Sequence, residues 1–237
     1  MEVTFMHKNR EIRFNIIYRK RKTMSLEIKR DGIINVIAPN GLDKTFIVDK
    51  VKNKSDWIIK KLDEIEVLNN NRYTRSYESG DIFLYLGNEY ILEVLVDKTT
   101  IRTSVSLENN KLIVRSNSNN KDVIQRALKN WYTDETLGIT KERINYYKLF
   151  FEDTVTSIKI KDQKSRWASC TYKNEILFNL RCSMMPIQII DYIVVHEMCH
   201  MEHRNHSKDF YLAVERILPD YKERVKWLKN NGVRMNF

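Results

Sequence analysis

The chain has 237 residues, enough for one large domain or two small ones with a sizeable hydrophobic core. Hydrophobic residues make up 42% and charged residues 30%, the balance of an ordinary soluble globular protein. No run approaches the roughly 18 apolar residues that could span a bilayer. The net charge of +10 favours an anionic partner or substrate over a cationic one.

The cysteine content and the start of the chain bear on the cellular compartment. Cys170, Cys182 and Cys199 are odd in number and form no C-x-x-C pair, so neither a disulfide framework nor a zinc ribbon is indicated. Residues 1–4 lack the basic and then apolar layout of a secretory signal. We therefore expect a cytoplasmic protein with no membrane partner.

The first 118 residues are predicted to be rich in strands. Apolar and polar residues alternate over much of residues 12–28, and Asp31-Gly32 is a strong hairpin turn. One helix should follow, capped near Asp43, with Trp57 packing it on the sheet. Further strands are expected at Ile82–Leu86, Tyr90–Val96, Ile101–Leu107 and Lys111–Val114. No internal repeat is apparent in the sequence.

A basic cluster, Arg19-Lys20-Arg21-Lys22, interrupts this strand-rich region. Such a run can bind nucleic acid or another polyanion. More often a charged run is a solvated loop, or a strand edge that its charge protects from aggregation, and we favour that interpretation. Nucleic-acid binding through the N-terminal region stays an open alternative.

Helix and strand alternate in the second half of the chain. A helix is predicted over Lys121–Phe151 with an interruption near Gly138, followed by strands at Val155–Ile160 and Glu175–Arg181. The strand Glu175–Arg181 could pair with an extended substrate through its main chain, although an ordinary core strand fits equally well. Arg166, between these strands, could stabilise an oxyanion, but a salt-bridged structural arginine is the commoner case.

Four of the five histidines fall within eleven consecutive residues, and the first two form the pattern H-E-x-x-H. Because residues four apart share one face of a helix, His196 and His200 can offer ring nitrogens to a single metal ion. Glu197 points beside the metal, where it can take a proton from a water molecule that the metal activates. Pro186 is well placed in the first turn of this apolar helix, which we expect to be buried. The alternative is a core helix with hydrogen-bonded polar residues.

A catalytic zinc ion needs a third protein ligand and an open position, and His203 and His206 compete for that role. In an unbroken helix, His196 and His203 would lie roughly 10 Å apart along the axis, at about 1.5 Å rise per residue. An ion that both could reach would be too close to His200 between them. The chain must therefore turn first, and Arg204-Asn205 is a plausible turn. We favour His206, and a histidine-rich site favours zinc.

The spacing of His196, His200 and His206 also equals the ligand spacing H-E-x-x-H-x-x-G-x-x-H of metzincin proteases. His203 stands where those proteases have glycine. Ser207 follows directly and can cap a new helix.

Several short sequence features occur in this chain in the same order as in one known family, and together they span nearly the whole chain. They are Arg19–Leu26, Asp31-Gly32, Trp57-Ile58, Tyr85-Leu86-Gly87, Arg166-Trp167-Ala168-Ser169-Cys170, Phe178-Asn179-Leu180 and His196–His206. On these features the chain resembles the bacterial YgjP-like (WLM-like) predicted metal-dependent hydrolases, relatives of the SprT-like zinc metallopeptidases. Ala168 departs from the pattern, because the family usually has glycine there.

The resemblance implies an α+β fold. A β-rich, family-specific region with one helix would occupy residues 1–118. A zincin-like hydrolase region would occupy residues 119–237, with the H-E-x-x-H helix packed on a small sheet. The implied metal ligands and catalytic acid/base are His196, His200, His206 and Glu197. A fold does not by itself determine a substrate.

We expect a zinc-dependent, metallopeptidase-like hydrolase in which Glu197 is the general base. One alternative is a zinc-dependent hydrolase of nucleotides or phosphoanhydrides, which the basic charge would suit. Another is a nucleic-acid-associated, SprT-like module, which a strong salt dependence of binding would reveal. The substrate and the oligomeric state are left open by the sequence.

Overall fold

The computed structural model describes residues 1–29, 31–70 and 75–237, and for residues 68–70 it describes the backbone alone. The chain separates into two units, Met1–Asn71 and Arg72–Phe237. The boundary predicted between residues 118 and 119 falls inside the second unit. The reason is that the helix after this boundary packs on the strands before it.

The first unit is a four-stranded sheet with two helices. Its strands stand in the order β1-β2-β4-β3, and β2 and β4 run parallel while the outer pairs are antiparallel. The elements are β1 (Glu2–His7), β2 (Arg10–Arg19), β3 (Ser25–Ile28), β4 (Ile34–Pro39), α1 (Lys44–Lys52) and α2 (Ser55–Asn70). The predicted single helix is therefore two helices, and α1 ends at Lys52 with Asn53 as its C-cap.

The core of the first unit lies between the sheet and the helices. Ile47 and Val51 of α1 and Ile58 of α2 are buried there with the apolar side chains of β2 and β4. Trp57 does not pack the helix on the sheet as predicted, since its side chain is 45% exposed. Neighbouring residues on a helix point in directions about 100° apart, so burial of Ile58 turns Trp57 outward.

The second unit begins with another four-stranded sheet, which is followed by one long helix. The elements are β5 (Ile82–Tyr85), β6 (Asn88–Val96), β7 (Ser104–Glu108), β8 (Lys111–Ser116) and α3 (Lys121–Tyr147). Contrary to the prediction, α3 runs through Gly138 without a break. Glycine inside a helix costs only about 1 kcal/mol relative to alanine. Burial of Thr136 and Thr140 on either side holds this stretch of the helix against the core.

The two four-stranded sheets repeat one topology, which the sequence did not reveal. The second sheet has the order β5-β6-β8-β7, again with a parallel central pair and antiparallel outer pairs. Phe14 faces Ile34 in the first sheet and Leu92 faces Leu112 in the second. The same sequence separation relates Phe14 to Leu92 and Ile34 to Leu112, so the registers of the two parallel central pairs correspond residue by residue.

The hairpin turn between β5 and β6 connects the second sheet to the segment that precedes the H-E-x-x-H helix. Leu86 and Gly87 both have positive φ, as Lys8-Asn9 have at the equivalent turn of the first sheet. The N–H of Leu86 donates to the carbonyl oxygen of Ser183 at 2.8 Å, and that of Gly87 to Met184 at 3.2 Å. This turn therefore supports the start of the H-E-x-x-H helix.

The rest of the second unit is a three-stranded sheet with three helices. These elements are β9 (Ser157–Lys161), β10 (Ala168–Cys170), β11 (Glu175–Asn179), α4 (Ile187–Glu202), α5 (Lys208–Ile217) and α6 (Tyr221–Asn231). The sheet order is β10-β11-β9, and α4 lies against β10, α3, α5 and α6. The fold is thus a mixture of helices and several sheets, as predicted. Within the described residues, no helix combines the length and the apolar character needed to cross a membrane.

Candidate metal centre

Helix α4 carries the first two histidines on a partly open face. It begins after Pro186, which supplies the N-cap position, and Ile187–Glu202 form the helix as the apolar pattern predicts. Most of its apolar side chains are fully buried in the core of the second unit. His196 and His200 are only half-buried, and their ring centroids lie 5.0 Å apart.

The chain turns away from the axis of α4 at His203. This residue is the C-cap, with extended backbone at φ −120° and ψ 94°, so the turn begins one residue before the predicted Arg204-Asn205. Helix α5 then begins after Ser207, whose Oγ accepts a hydrogen bond from the N–H of Phe210 at 3.4 Å. The prediction that Ser207 caps this helix is confirmed, and the turn brings His206 back towards α4.

The side chains of His196, His200 and His206 converge. One ring nitrogen from each lies within 4.8 Å of the others, and the Nε2 atoms of His196 and His206 are 3.1 Å apart. Two nitrogens bound tetrahedrally at about 2.0–2.1 Å from zinc would be roughly 3.3 Å apart, close to the separation of the His196 and His206 nitrogens. Among the described residues, His203 is not part of this group.

Hydrogen bonds orient the rings of the two helix histidines. Nδ1 of His200 lies 2.9 Å from the carbonyl oxygen of His203. A carbonyl can only accept, so Nδ1 carries the proton and Nε2 keeps a free lone pair. Nδ1 of His196 lies 3.3 Å from the hydroxyl of Tyr192. Phe210 packs against all three imidazoles at centroid distances of 4.5–4.9 Å and forms an apolar wall beside them.

The surroundings of His196 and His200 favour neutral imidazoles, which are the form that binds metals. Burial, followed by the proximity of His200 and His206, lowers the pKa of His196 to about 3. Burial is also the largest cause that lowers the pKa of His200. Three converging imidazole nitrogens are a donor set that suits zinc.

Glu197 lies beside this group and is almost completely buried, at 6% exposed. Its burial raises the pKa of the carboxyl group to about 7, while a hydrogen bond from the backbone N–H of Cys170 and the charge of Arg166 oppose the shift. The Cys170 N–H was not foreseen, because a main-chain donor from a distant strand leaves no sequence pattern. A carboxylate held in this way can accept and return a proton near neutral pH.

Comparison with known protein families matches residues 22–231 to the YgjP-like metallopeptidase domain. The chain belongs to the YgjP-like family. The resemblance inferred from the sequence is thereby confirmed, and the chain is a metallopeptidase-like hydrolase. Comparison with curated proteins found no match. Among solved structures, the metallopeptidase zymogen abylysin of Pyrococcus abyssi is similar, with a TM-score of 0.37 and 20% identity, over 40% of this chain and 96% of that chain.

The three-stranded sheet has two edge strands, β9 and β10, and β10 is the one that lies against α4. In this YgjP-like chain β11 pairs with β9 on one side and with β10 on the other. Main-chain groups of β11 are therefore already paired, and Glu175–Arg181 cannot be the substrate-binding strand considered above. That segment also ends as a strand at Asn179. Among the described residues β10 has an unpaired edge beside α4, whereas β9, the other edge strand, lies against α3.

Arg166 lies in the loop before β10 of the YgjP-like chain and is exposed. Within the described residues it forms no ion pair, which contradicts the interpretation as a salt-bridged structural arginine. The loop itself is held by Asn179, whose Nδ2 donates to the carbonyl oxygens of Gln163 and Arg166 at 2.7 and 2.8 Å. The guanidinium is therefore a free cation on a supported loop, close enough to Glu197 to influence its carboxyl group.

Proposed function

We propose that this chain is a zinc-dependent peptidase-like hydrolase whose zinc ligands are His196, His200 and His206. The observation that carries the proposal is the convergence of three imidazole nitrogens within 4.8 Å beside a buried carboxylate. When bound, zinc would supply Lewis-acid chemistry, lowering the pKa of water towards neutrality and polarising a carbonyl group.

Glu197 is the proposed general base and acid. Its carboxylate would accept a proton from the attacking water and then deliver it to the leaving nitrogen of the substrate. The backbone N–H of Cys170 favours the carboxylate form, and burial raises the pKa of the group to about 7. A general base that later acts as the acid must be unprotonated before the attack and protonated after it. Both effects favour this behaviour in Glu197.

Strand β10 and Arg166 are the proposed substrate contacts. An extended peptide can add to the unpaired edge of β10 through main-chain hydrogen bonds, which supports a peptide over a nucleotide as substrate. Arg166, whose charge lowers the pKa of Glu197, would stabilise negative charge that develops on the substrate. We propose that the hydrolase region covers residues 119–237 together with the sheet that supports it. The cytoplasmic location stays a prediction.

A parallel substrate screen tests this function. The zinc-loaded chain and its Glu197→Gln variant would be incubated with peptide libraries, nucleoside triphosphates and nucleic acids. Peptide cleavage that is lost in Glu197→Gln is the expected result. Release of phosphate or pyrophosphate that depends on Glu197, with no peptide cleaved, would overturn the peptidase proposal in favour of a phosphoanhydride hydrolase.

A further inference from the structure

Arg204 lies in the short segment between α4 and α5, just before His206. Its guanidinium donates hydrogen bonds to the turn that joins β10 to β11. Nη1 donates to the carbonyl oxygen of Thr171 at 2.8 Å. Nη2 donates to the carbonyl oxygen of Tyr172 at 3.3 Å and to Oδ1 of Asn174 at 2.7 Å. One side chain thus binds three acceptors of a single turn.

The turn that receives Arg204 is held in shape by its own hydrogen bonds. The N–H of Asn174 donates to the carbonyl oxygen of Thr171 at 3.0 Å, and Oγ1 of Thr171 accepts from the N–H groups of Lys173 and Glu175. Asn174 has the left-handed φ of 59°, which asparagine tolerates better than most residues. Because a guanidinium presents its donors in a rigid planar fork, it suits acceptors that are already in place.

The segment that Arg204 anchors has few other attachments. Within the described part of the chain, the backbone of residues 204–206 forms no hydrogen bond with another backbone group. Regular structure ends before His203 and resumes after Ser207. The position of the His206 imidazole therefore depends on the side chains that hold this segment, and Arg204 makes the most extensive of those contacts.

The turn that accepts the hydrogen bonds of Arg204 also adjoins the candidate site. Cys170 is the last residue of β10 and directly precedes the turn, and β10 packs against α4, the helix that carries Glu197. A single guanidinium thus connects the segment that carries His206 to the strand that lies beside the helix of Glu197.

We propose that Arg204 is a positioning residue that holds the third imidazole against the other two and thereby sets the affinity of the site for zinc. The proposal rests on the zinc site described under Proposed function. Groups that orient metal ligands without binding the metal typically change metal affinity about 10- to 100-fold when they are removed.

The test compares the zinc affinity of the full-length parent, Arg204→Ala and Arg216→Ala by competition with a chromogenic chelator. Arg216 is an exposed arginine of α5, so its removal changes the net charge equally without touching the turn. Arg204→Ala should weaken zinc binding about 10- to 100-fold, and Arg216→Ala should leave it unchanged. Arg204→Lys keeps the charge but loses the planar set of donors, so its zinc affinity should fall between those of the parent and Arg204→Ala.

A spectroscopic readout separates positioning from a general contribution to stability. The visible absorption of the Co²⁺-substituted chain reports on the ligands around the ion, and it should change in Arg204→Ala. Asn174→Gly provides a second variant, because it keeps the left-handed φ and removes the Oδ1 acceptor. It should weaken zinc binding less than Arg204→Ala and should add nothing when the two are combined. If Arg204→Ala does not fold, the affinity and spectrum of Asn174→Gly decide the question.

Two outcomes would count against the account in distinguishable ways. Zinc affinities and cobalt spectra equal to those of the parent, even with a lower melting temperature of the metal-free variants, would overturn the positioning role of Arg204. A parent chain that takes up no zinc would overturn the proposed function, and with it the role of Arg204.

Discussion

Nδ1 of His200 donates a hydrogen bond to the carbonyl oxygen of His203, 2.9 Å away. His203 thus contributes through its backbone, which any residue at that position would supply. Its imidazole lies outside the group of converging ring nitrogens found among the described residues. The extended conformation of His203 ends α4 and lets His206 return to the same face.

We predict that His206→Ala weakens zinc binding far more than His203→Ala. His206→Ala removes a ligand, and the loss should exceed about 100-fold, because even residues that only orient ligands cost 10- to 100-fold. His203→Ala keeps the carbonyl oxygen that orients His200, so its zinc affinity should stay close to that of the parent. Chelator competition measures both. Equal losses, or a greater loss in His203→Ala, would reverse the assignment.

Glu197→Gln should keep zinc bound and reduce turnover about 10²- to 10⁴-fold, since a neutral amide cannot accept the proton. Zinc content and the rate on any substrate found by the screen are the two measurements. Glu202→Gln is the matched control, because Glu202 is exposed on the same helix. Undiminished turnover in Glu197→Gln would show that another group is the base.

Arg143 and Asp191 join α3 to α4 through an ion pair that is mostly buried. Nε of Arg143 lies 2.6 Å from Oδ1 of Asp191, and Nη2 lies 3.3 Å from Oδ2. Asp191→Ala leaves the guanidinium, among the described residues, with only the exposed carboxylate of Glu142, 3.6 Å away, and should lower the free energy of unfolding by about 3–5 kcal/mol. Glu215→Ala, which breaks an exposed pair with Lys222, should cost at most about 1 kcal/mol. Urea unfolding that gave similar losses for both variants would contradict this prediction.

Gly87→Ala should destabilise the second unit more than Gly80→Ala. Both glycines have left-handed backbone, with φ of +84° and +104°, which costs an L-residue about 1–2 kcal/mol. A Cβ at Gly87 would also lie 2.7 Å from Cγ of Pro186, the residue that precedes α4, whereas Gly80 has open space around it. Thermal unfolding should show the larger fall in melting temperature for Gly87→Ala. Equal falls would mean that Pro186 moves aside at no cost.

Local patterns predicted the parts of the site that depend on neighbouring residues. The H-E-x-x-H spacing and the apolar pattern indicated α4, and Ser207 indicated the start of α5. Both features follow from helix geometry and capping, which act over a few residues.

Long-range pairing could not be read from the same patterns. The segment Glu175–Asn179 has the composition of a strand whether it lies at the edge or in the middle of a sheet, and only the structure shows that it lies in the middle, between β9 and β10. The contact between Arg204 and the turn at Asn174 joins residues far apart in the sequence. The repeated sheets were missed because Phe14 and Leu92 fill equivalent buried positions with different apolar side chains, which packing permits.

Zinc binding itself tests the central claim most directly. The purified full-length chain would be stripped with a chelator, titrated with zinc, dialysed and analysed for metal and protein. We predict about one zinc ion per chain, with X-ray absorption showing imidazole nitrogens as the protein ligands, and loss of that zinc in His196→Ala, His200→Ala and His206→Ala. A chain that retains no zinc, or retains it undiminished in all three variants, would contradict the account.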